Sequence, residues 1–257
     1  MKAETADRRR AGLRANAAPG ISYARSGLLP LPAAFFNRDP REVGPDLLGK
    51  LLVRRYREEL LIGRLVETEA YLGALDPAAH AYAGKTARNA VLFGPPGIAY
   101  VYLIYGNHFC LNVSCMPEGD GEGVLFRALE PVHGLMTMAK LRDIDLPLRQ
   151  KESPHLLDMP RITKANVEAL AGHPATANRL RLLCGGPGRL TQAMQITRQR
   201  HNGMPLTSAD SELFLADDGF RPNRIATTVR VGLTKAADKP LRYVIVGNPF
   251  VSGKREL

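Results

Sequence analysis

The sequence predicts an α+β protein built as a single compact domain, on three observations. Short runs rich in β-branched and aromatic residues outnumber, and are interspersed with, segments of helical spacing. No internal repeat and no clean linker follows residue 31. The chain has 257 residues, of which 45% are hydrophobic and 23% are charged, so it is long enough to bury one substantial core.

The first thirty residues differ from the rest of the chain. Arg8, Arg9 and Arg10 are consecutive, and no acidic residue occurs between Arg8 and Arg38. We therefore expect residues 1–30 to form a basic disordered arm and residues 31–257 to form the domain. An organelle transit peptide is the alternative interpretation of the arm, although its acidic residues weaken it.

Capping and turn residues divide the domain into its expected elements. A helix over residues 41–50 ends near Gly49, and a hairpin follows, whose strands begin at Leu51 and at Leu60 and whose second strand runs to Leu72. Three further strands, and beyond them three helices and two strands, are predicted from their periodicity. The three strands are 98–104, 109–115 and 123–128; a helix is expected at 132–142, a second near 163–171 inside an irregular excursion over 143–179, a third at 189–196, and two last strands at 227–233 and 241–246.

Charge and cysteine content narrow the function classes. Lys and Arg outnumber Asp and Glu by 35 to 25, a net charge of +10, which favours a polyanion such as nucleic acid as partner. Ribosome or membrane surfaces are alternatives that charge alone does not exclude. Three cysteines without framework spacing argue against a secreted disulfide scaffold, so we expect a reducing compartment. No run of eighteen apolar residues predicts a membrane span.

One strand carries two carboxylates and an aromatic ring on the same face. Glu67, Glu69 and Tyr71 alternate along the second hairpin strand, so their side chains project to one side. A solvated strand edge would explain this pattern. The functional interpretation is a general base at the floor of a cleft, with a neighbouring carboxylate that tunes or positions it.

Aromatic residues concentrate in the next strand. Tyr100, Tyr102 and Tyr105 lie within six residues of a chain that has no Trp and only eight Tyr. Cross-strand packing is one explanation. The other is a stacking platform for bases, with Tyr105 at the strand end as a wedge between base pairs. His80, nine residues after Tyr71, is either a surface or structural histidine or a hydrogen-bond donor to a ligand.

Other chemistries have weaker support. His108, Cys110 and Cys115 are close in sequence but include no Cys-x-x-Cys pair and no fourth ligand, so we expect no metal. No Gly-x-Ser-x-Gly elbow and no phosphate-binding Gly-x-x-x-x-Gly-Lys loop occurs. The run 185–188 before a helix either seats a phosphate or is a plain helix-entry turn.

Taken in order, several segments closely resemble the alkyladenine (3-methyladenine) DNA glycosylase family. The similarity extends from about residue 36 to 252, and the blocks Val-Glu-Thr-Glu-Ala-Tyr and Arg-Ala-Leu-Glu-Pro are specific in combination. The matching segments are 48–50, 63–73, 78–80, 88–89, 100–106, 109–113, 125–131, 186–193 and 239–243.

The resemblance implies a role for each matched residue. Glu69 matches the general base, and Arg127 matches the residue that helps to hold the catalytic water. Tyr105 matches the side chain that intercalates into the vacated stack.

The resemblance also implies the walls of a base pocket. Tyr71, His80 and Tyr102 match the side chains that stack on and hydrogen-bond the flipped base. Asn112 matches the side chain that excludes normal guanine by a steric conflict with its amino group.

The family's fold and activity give further expectations. The fold is a curved antiparallel β-sheet with surrounding helices, distinct from the helix-hairpin-helix glycosylases. The activity is hydrolysis of the N-glycosidic bond of alkylated or deaminated purines, such as 3-methyladenine, hypoxanthine and ethenoadenine, in duplex DNA. It uses no cofactor and no metal, does not cleave the strand, involves no membrane, and belongs to a monomer. We expect a cytoplasmic, nucleoid-associated protein in a bacterium, and a nuclear or organellar one in a eukaryote.

Three departures and two rival functions accompany the resemblance. The basic arm has no clear family counterpart, and the excursion over 143–179 is longer than its mammalian equivalent. The sequence Tyr105-Gly106-Asn107-His108 stands where the mammalian pattern has bulkier apolar residues. The rivals are a non-catalytic module that binds bent or damaged DNA, which would lack the carboxylate that Glu69 supplies, and an unrelated RNA-modifying hydrolase, which would prefer single strands.

Overall fold

The computed structural model describes residues 28–104, 106, 108–148 and 164–253. Within these ranges the strands form one curled antiparallel sheet, and helices pack against it, which confirms the α+β class. The strands are β1 (Leu29–Pro30), β2 (Leu51–Tyr56), β3 (Glu59–Tyr71), β4 (Ala99–Ile104), β5 (His108–Cys115), β6 (Glu122–His133), β7 (Leu213–Asp217), β8 (Ile225–Thr228) and β9 (Arg242–Ile245).

The helices are short. They are α1 (Ala33–Phe36), α2 (Pro40–Asp46), α3 (Leu135–Leu141), α4 (Lys164–Ala171), α5 (Pro174–Leu182), α6 (Pro187–Ala193) and α7 (Arg198–His201), with 3₁₀ turns at Gly73–Leu75 and Ala90–Phe93. Helix α2 shows why its boundaries fall where they do: the side chain of Asp39 accepts a hydrogen bond from the amide of Arg41, and Pro40 occupies the first turn, where it loses no hydrogen bond. None of the helices in the described ranges has the length and apolarity needed to cross a bilayer.

Strand β3 lies at the centre of the sheet, whose order is β1-β7-β2-β3-β6-β5-β4. Along one edge β3 pairs first with β2 and then, near Glu67–Glu69, with β9; along its other edge it pairs with β6. A strand that is paired on both edges is shielded from solvent, and the side chains from Leu61 to Ala70 are all buried. The core therefore surrounds the strand that carries both candidate carboxylates.

Two of the three register shifts between β3 and β6 set the direction of the side chains near Glu67. Leu65 lies opposite Leu129 and Glu67 opposite Ala128, so Val66 is an extra residue on β3. Thr68 then lies opposite Phe126, so Arg127 is an extra residue on β6. Because a bulge re-aims the residue it inserts, Arg127 reaches the carboxylates of β3 across the strand pair.

Most predicted elements are present, and the differences have local causes. The helix expected over 132–142 begins only at Leu135, because β6 continues to His133 and Gly134, at φ +78°, separates the two elements. The strand expected over 227–233 ends at Thr228, and Gly232, at φ +77°, turns the chain instead. The helix expected over 41–50 ends at Asp46.

Five of the helices and strands, β1, α1, α5, α7 and β7, were not predicted from the sequence. The excursion over 143–179 contains the expected helix, α4, but a second helix, α5, begins within it at Pro174, and the His173 ring nitrogen accepts from the amide of Ala175. Strand β7 follows a polar turn and consists of a short apolar run that was not assigned. Of the predicted arm, the structure describes only residues 28–30, which contain β1.

All three cysteines are free and buried. Burial raises the pKa of Cys110 to about 11 and that of Cys184 to about 12, and it raises the pKa of Cys115 as well. His108, Cys110 and Cys115 form no ligand cluster; the described residues contain no group of three or more His, Cys, Asp or Glu placed to hold a metal ion.

Candidate active site

A cavity of about 100 Å³ lies where the ends of β3, β4 and β5 meet the loop that follows β3. Four residues assigned to the base pocket from the sequence line it: Tyr71, His80, Tyr102 and Asn112. They come from β3, the loop, β4 and β5 respectively, and the first and last of them are 41 positions apart in the chain. Tyr105 lies outside the described residues, so its predicted wedge role stays a prediction.

Three rings form one wall of the cavity. The ring centroids of His80 and Tyr102 are 4.4 Å apart at 65°, and those of Tyr100 and Tyr102 are 5.2 Å apart at 31°. The His80 Nδ1 and Tyr100 hydroxyl oxygen are 3.0 Å apart, within hydrogen-bonding distance. Burial, together with the charge of Arg88, lowers the pKa of His80, so the ring is neutral at pH 7 and keeps one donor and one acceptor nitrogen.

The sequence analysis gave no individual role to Tyr100, the third ring of this wall. Asn112 lies opposite Tyr100 in the β4–β5 pair, and its amide donates to the Tyr100 carbonyl at 3.3 Å. This bond fixes the Asn112 side chain at the wall of the cavity. Burial, with Cys110 beside it, raises the pKa of Tyr102, which keeps that hydroxyl protonated.

Glu69 is fully enclosed and is joined to the cavity by one hydrogen bond. Its Oε2 accepts from the hydroxyl of Tyr71 at 3.0 Å. Its Oε1 accepts from the backbone amide of Val231 at 2.8 Å and lies 3.2 Å from Nη1 of Arg127. A carboxylate offers about four acceptor positions, so three are used and one is left for a further donor such as water.

Tyr71 is held as a donor. Burial and the adjacent carboxylate of Glu69 raise its pKa, so the phenol remains protonated and donates to Glu69. The guanidinium carbon of Arg230 lies 4.6 Å from the Tyr71 ring centroid. The sequence analysis assigned no role to Arg230 or Val231, because contacts across some 160 positions leave no local signal.

Glu67 lies on the same face but has a different environment. Its Oε1 accepts from Nε of Arg127 at 2.8 Å and from Nε of Arg242 at 2.7 Å, and its Oε2 accepts from the Ser252 amide at 2.7 Å. Burial alone would raise the pKa of Glu67, but the two guanidinium groups hold it below its ordinary value of 4.5. Arg127 thus contacts both carboxylates, and they raise its own pKa despite its burial.

A carboxylate one hydrogen bond from a ring-walled cavity, in a chain with a net charge of +10, suits the removal of a flat base from a polyanion. DNA glycosylases, the enzymes that begin base repair by releasing a base from its sugar, need a site of this kind. The chain belongs to the methylpurine-DNA glycosylase family, whose sequence profile matches residues 34–249.

Curated relatives agree with this family. A protein of Koribacter versatilis (strain Ellin345), named "Putative 3-methyladenine DNA glycosylase", is 53% identical over 230 residues, which cover 90% of this chain and 96% of that protein. Proteins with the same name from Methanoculleus marisnigri and Burkholderia cenocepacia are 45% and 43% identical over 224 residues. They cover 86% and 87% of this chain, and 98% and 91% of the respective relatives.

Proposed function

We propose that this protein is a monofunctional glycosylase that flips an alkylated or deaminated purine out of duplex DNA and hydrolyses its N-glycosidic bond. The observation that carries the proposal is the hydrogen bond between Tyr71, a wall of the cavity, and the enclosed carboxylate of Glu69. It links a site suited to a flat ring to a group suited to activate water.

Binding to the duplex is electrostatic and largely independent of sequence, since the surplus positive charge replaces counterions on the phosphates. Arg88, close enough to His80 and Tyr100 to affect the pKa of each, supplies positive charge at the rim of the cavity. Extruding the base costs a few kcal/mol, and a lesion that pairs badly costs less, which provides selectivity before any bond breaks. Tyr105 fills the vacated stack.

The extruded purine stacks among Tyr71, His80 and Tyr102. An alkylated purine carries positive charge, and aromatic faces attract cations. Asn112, fixed by its bond to the backbone of Tyr100, excludes the amino group of normal guanine by steric conflict. The same fixed side chain leaves room for purines that lack this group.

Glu69 acts as the general base. Water from the cavity gives a proton to Glu69 as its oxygen bonds to the anomeric carbon of the sugar, and the bond from that carbon to the purine nitrogen breaks, with its electron pair leaving on the base. The carboxylate also stabilises the positive charge that develops on the sugar ring. Arg127 holds Glu69 in place and helps to orient the water. The described residues that line the cavity include no lysine, so no Schiff base forms there and the strand stays intact.

The test is direct. Labelled duplexes that each carry one 3-methyladenine, 7-methylguanine, hypoxanthine or ethenoadenine are incubated with the protein, and half of each sample is treated with hot alkali. We expect cleavage at the lesion that requires both the protein and alkali, which reveals an abasic site; a sample without protein is treated alike, because hot alkali by itself breaks the strand at 7-methylguanine. Unmodified RNA should compete much less than unmodified duplex DNA. No alkali-labile product from any lesion would overturn the proposal, and a preference for RNA would favour the RNA-hydrolase rival.

A further inference from the structure

A second buried ion pair, between Arg230 and Asp76, lies beside the site, and neither of its residues lines the cavity. The side chains of Arg230 and Asp76 are both fully buried, and Arg230 Nη2 donates to Asp76 Oδ1 at 2.8 Å. Arg230 Nη1 also donates to the carbonyl of Ala70 at 3.0 Å, and the guanidinium lies over the ring of Tyr71. One side chain therefore contacts the end of β3, the loop after β3 and its own segment, residues 229–233.

Stability alone explains this pair poorly. Removing two charges from water costs about as much as their attraction returns, and well-packed apolar residues often replace a buried ion pair without loss of stability. Asp76 also accepts from the amides of Leu72 and Ala78, at 3.4 and 3.2 Å, so the pair sets the course of the loop as well. The arrangement fixes geometry at three places at once.

These contacts determine the surroundings of Glu69. Val231, the residue after Arg230, donates its amide to Oε1 of Glu69, and Tyr71, whose ring Arg230 covers, donates its hydroxyl to Oε2. Two of the three groups that surround Glu69 thus depend on the placement of Arg230. The third, Arg127, is held separately by Glu67.

We propose that Arg230, anchored by Asp76, is a positioning residue that sets the orientation of Glu69 through the amide of Val231 and the hydroxyl of Tyr71. The inference rests on the proposed role of Glu69 as general base. It predicts a larger defect in the chemical step than in lesion binding, because the loop that carries His80 has a second anchor: the buried Asn89 side chain donates to the His80 carbonyl at 2.9 Å and accepts from the Thr86 amide at 2.6 Å.

The chain contains a matched control. Arg64 makes a two-pronged ion pair with Asp218, at 3.0 and 2.8 Å, donates to the carbonyl of Gly49 at 2.7 Å, and lies 4.3 Å from the ring centroid of Phe220. It therefore has the same kinds of partner as Arg230: a carboxylate, a backbone carbonyl and an aromatic ring. None of these residues lines the cavity.

The experiment compares two double variants, Arg230→Met with Asp76→Leu and Arg64→Met with Asp218→Leu. Each removes both charges of one pair. Single-turnover excision from a lesion duplex is measured across pH, together with the Tm and the affinity for a duplex that carries an uncleavable abasic analogue. For the Arg230/Asp76 variant we expect a Tm within about 5 °C of the wild type, little change in affinity, and a rate lower by about tenfold to a hundredfold.

The pH profile separates positioning from general damage. A carboxylate that has lost hydrogen-bond donors is harder to ionise, so the acidic limb of the Arg230/Asp76 profile should move to higher pH. The Arg64/Asp218 variant should keep both the wild-type rate and the wild-type profile. A wild-type rate in the Arg230/Asp76 variant, or a lower rate with an unshifted profile, would overturn the inference.

A further variant covers the case in which the double variant does not fold. Arg230→Lys keeps the charge beside Asp76, but a lysine cannot contact Asp76, Ala70 and the Tyr71 ring together. We expect a folded protein with the same slower rate and shifted acidic limb, and normal kinetics in it would contradict the inference. If the wild type releases no base, the proposed function fails. If the wild type is active and the Arg230 variants have the same rate and pH profile, only the positioning inference fails.

Discussion

Glu67 and Glu69 lie two residues apart on one face of β3, and both are fully buried against the same arginine, Arg127. Glu67 accepts from two guanidinium groups and a backbone amide, all from the protein interior. Glu69 accepts from a tyrosine of the cavity wall and from the amide of an adjacent segment. Burial and residue type are identical, so only the partners distinguish the two groups.

The difference shows how one strand serves two purposes. Arg242 and Arg127 both form ion pairs with Glu67. The ionised Glu67 side chain therefore links β9 and β6 to β3. Glu69 shares only one of those cations and is joined to the cavity through Tyr71, which is why we propose it, and not Glu67, as the general base. Substitutions at each position should separate catalysis from stability.

The largest expected effect is on catalysis. Glu69→Gln keeps the size of the side chain but removes the base, so single-turnover excision should fall by about 10²–10⁴-fold. Affinity for a lesion duplex should stay close to that of the wild type, because Tyr71, His80 and Tyr102 are unchanged. Burst experiments and gel-shift titrations measure the two quantities. Excision at the wild-type rate would remove Glu69 from the mechanism.

The neighbouring substitution should affect stability instead. Glu67→Gln leaves Arg242 and Arg127 buried without their shared carboxylate, and breaking a buried ion pair on one side costs about 3–5 kcal/mol. Urea denaturation at pH 7 measures this loss. The folded fraction of the variant should still excise the base. A stable variant with no activity would reverse the roles assigned to the two carboxylates.

Substitution of Arg127 should reduce both catalysis and stability, each by less than the two changes above, because Arg127 contacts both carboxylates. Arg127→Lys retains one charge but cannot reach Glu67 and Glu69 together. We expect a loss of about 1.5–3 kcal/mol in unfolding free energy, the contribution typical of a charged hydrogen bond. The excision rate should fall about tenfold, equal to about 1.4 kcal/mol in the barrier. Denaturation and single-turnover kinetics on one preparation check whether both change.

The smallest expected effect is in the acid dependence of stability. The pKa of Glu67 is lower in the folded protein than its ordinary value of 4.5, so its contribution to stability is complete above that value. The contribution is lost as the pH falls through the lower, folded value. Glu67→Gln should therefore lose less stability than the wild type between pH 5 and the acid-unfolding region. Parallel slopes of unfolding free energy against pH would contradict the assignment.

The sequence indicated which residues line the cavity better than it indicated the contacts around them. Alternation along β3 is local, so the shared face of Glu67, Glu69 and Tyr71 could be inferred, and the family resemblance supplied His80, Tyr102 and Asn112. The structure brings those three and Tyr71 to one cavity. Arg230 and Asp76 could not be found in this way, because their contact spans 154 positions and neither belongs to a motif.

Errors in the elements have a similar origin. The segment after β8 alternates like a strand, but tertiary contact overrides that pattern: Val231 leaves the sheet and donates to Glu69, and the chain turns at Gly232. The predicted start of helix α3 was three residues too early. The end of strand β6 and the start of the helix are both apolar, and only Gly134 marks the boundary between them. Periodicity reports local geometry, whereas these boundaries depend on distant partners.

The three buried cysteines have a consequence for a protein that acts on methylated purines. Electrophiles that methylate a purine nitrogen also attack sulfur, but the attacking form is the thiolate. At a pKa of about 11, only about one Cys110 in ten thousand is ionised at pH 7, and the sulfur is enclosed as well. The folded chain therefore shields its three cysteine thiols from the reagents whose damage its family repairs.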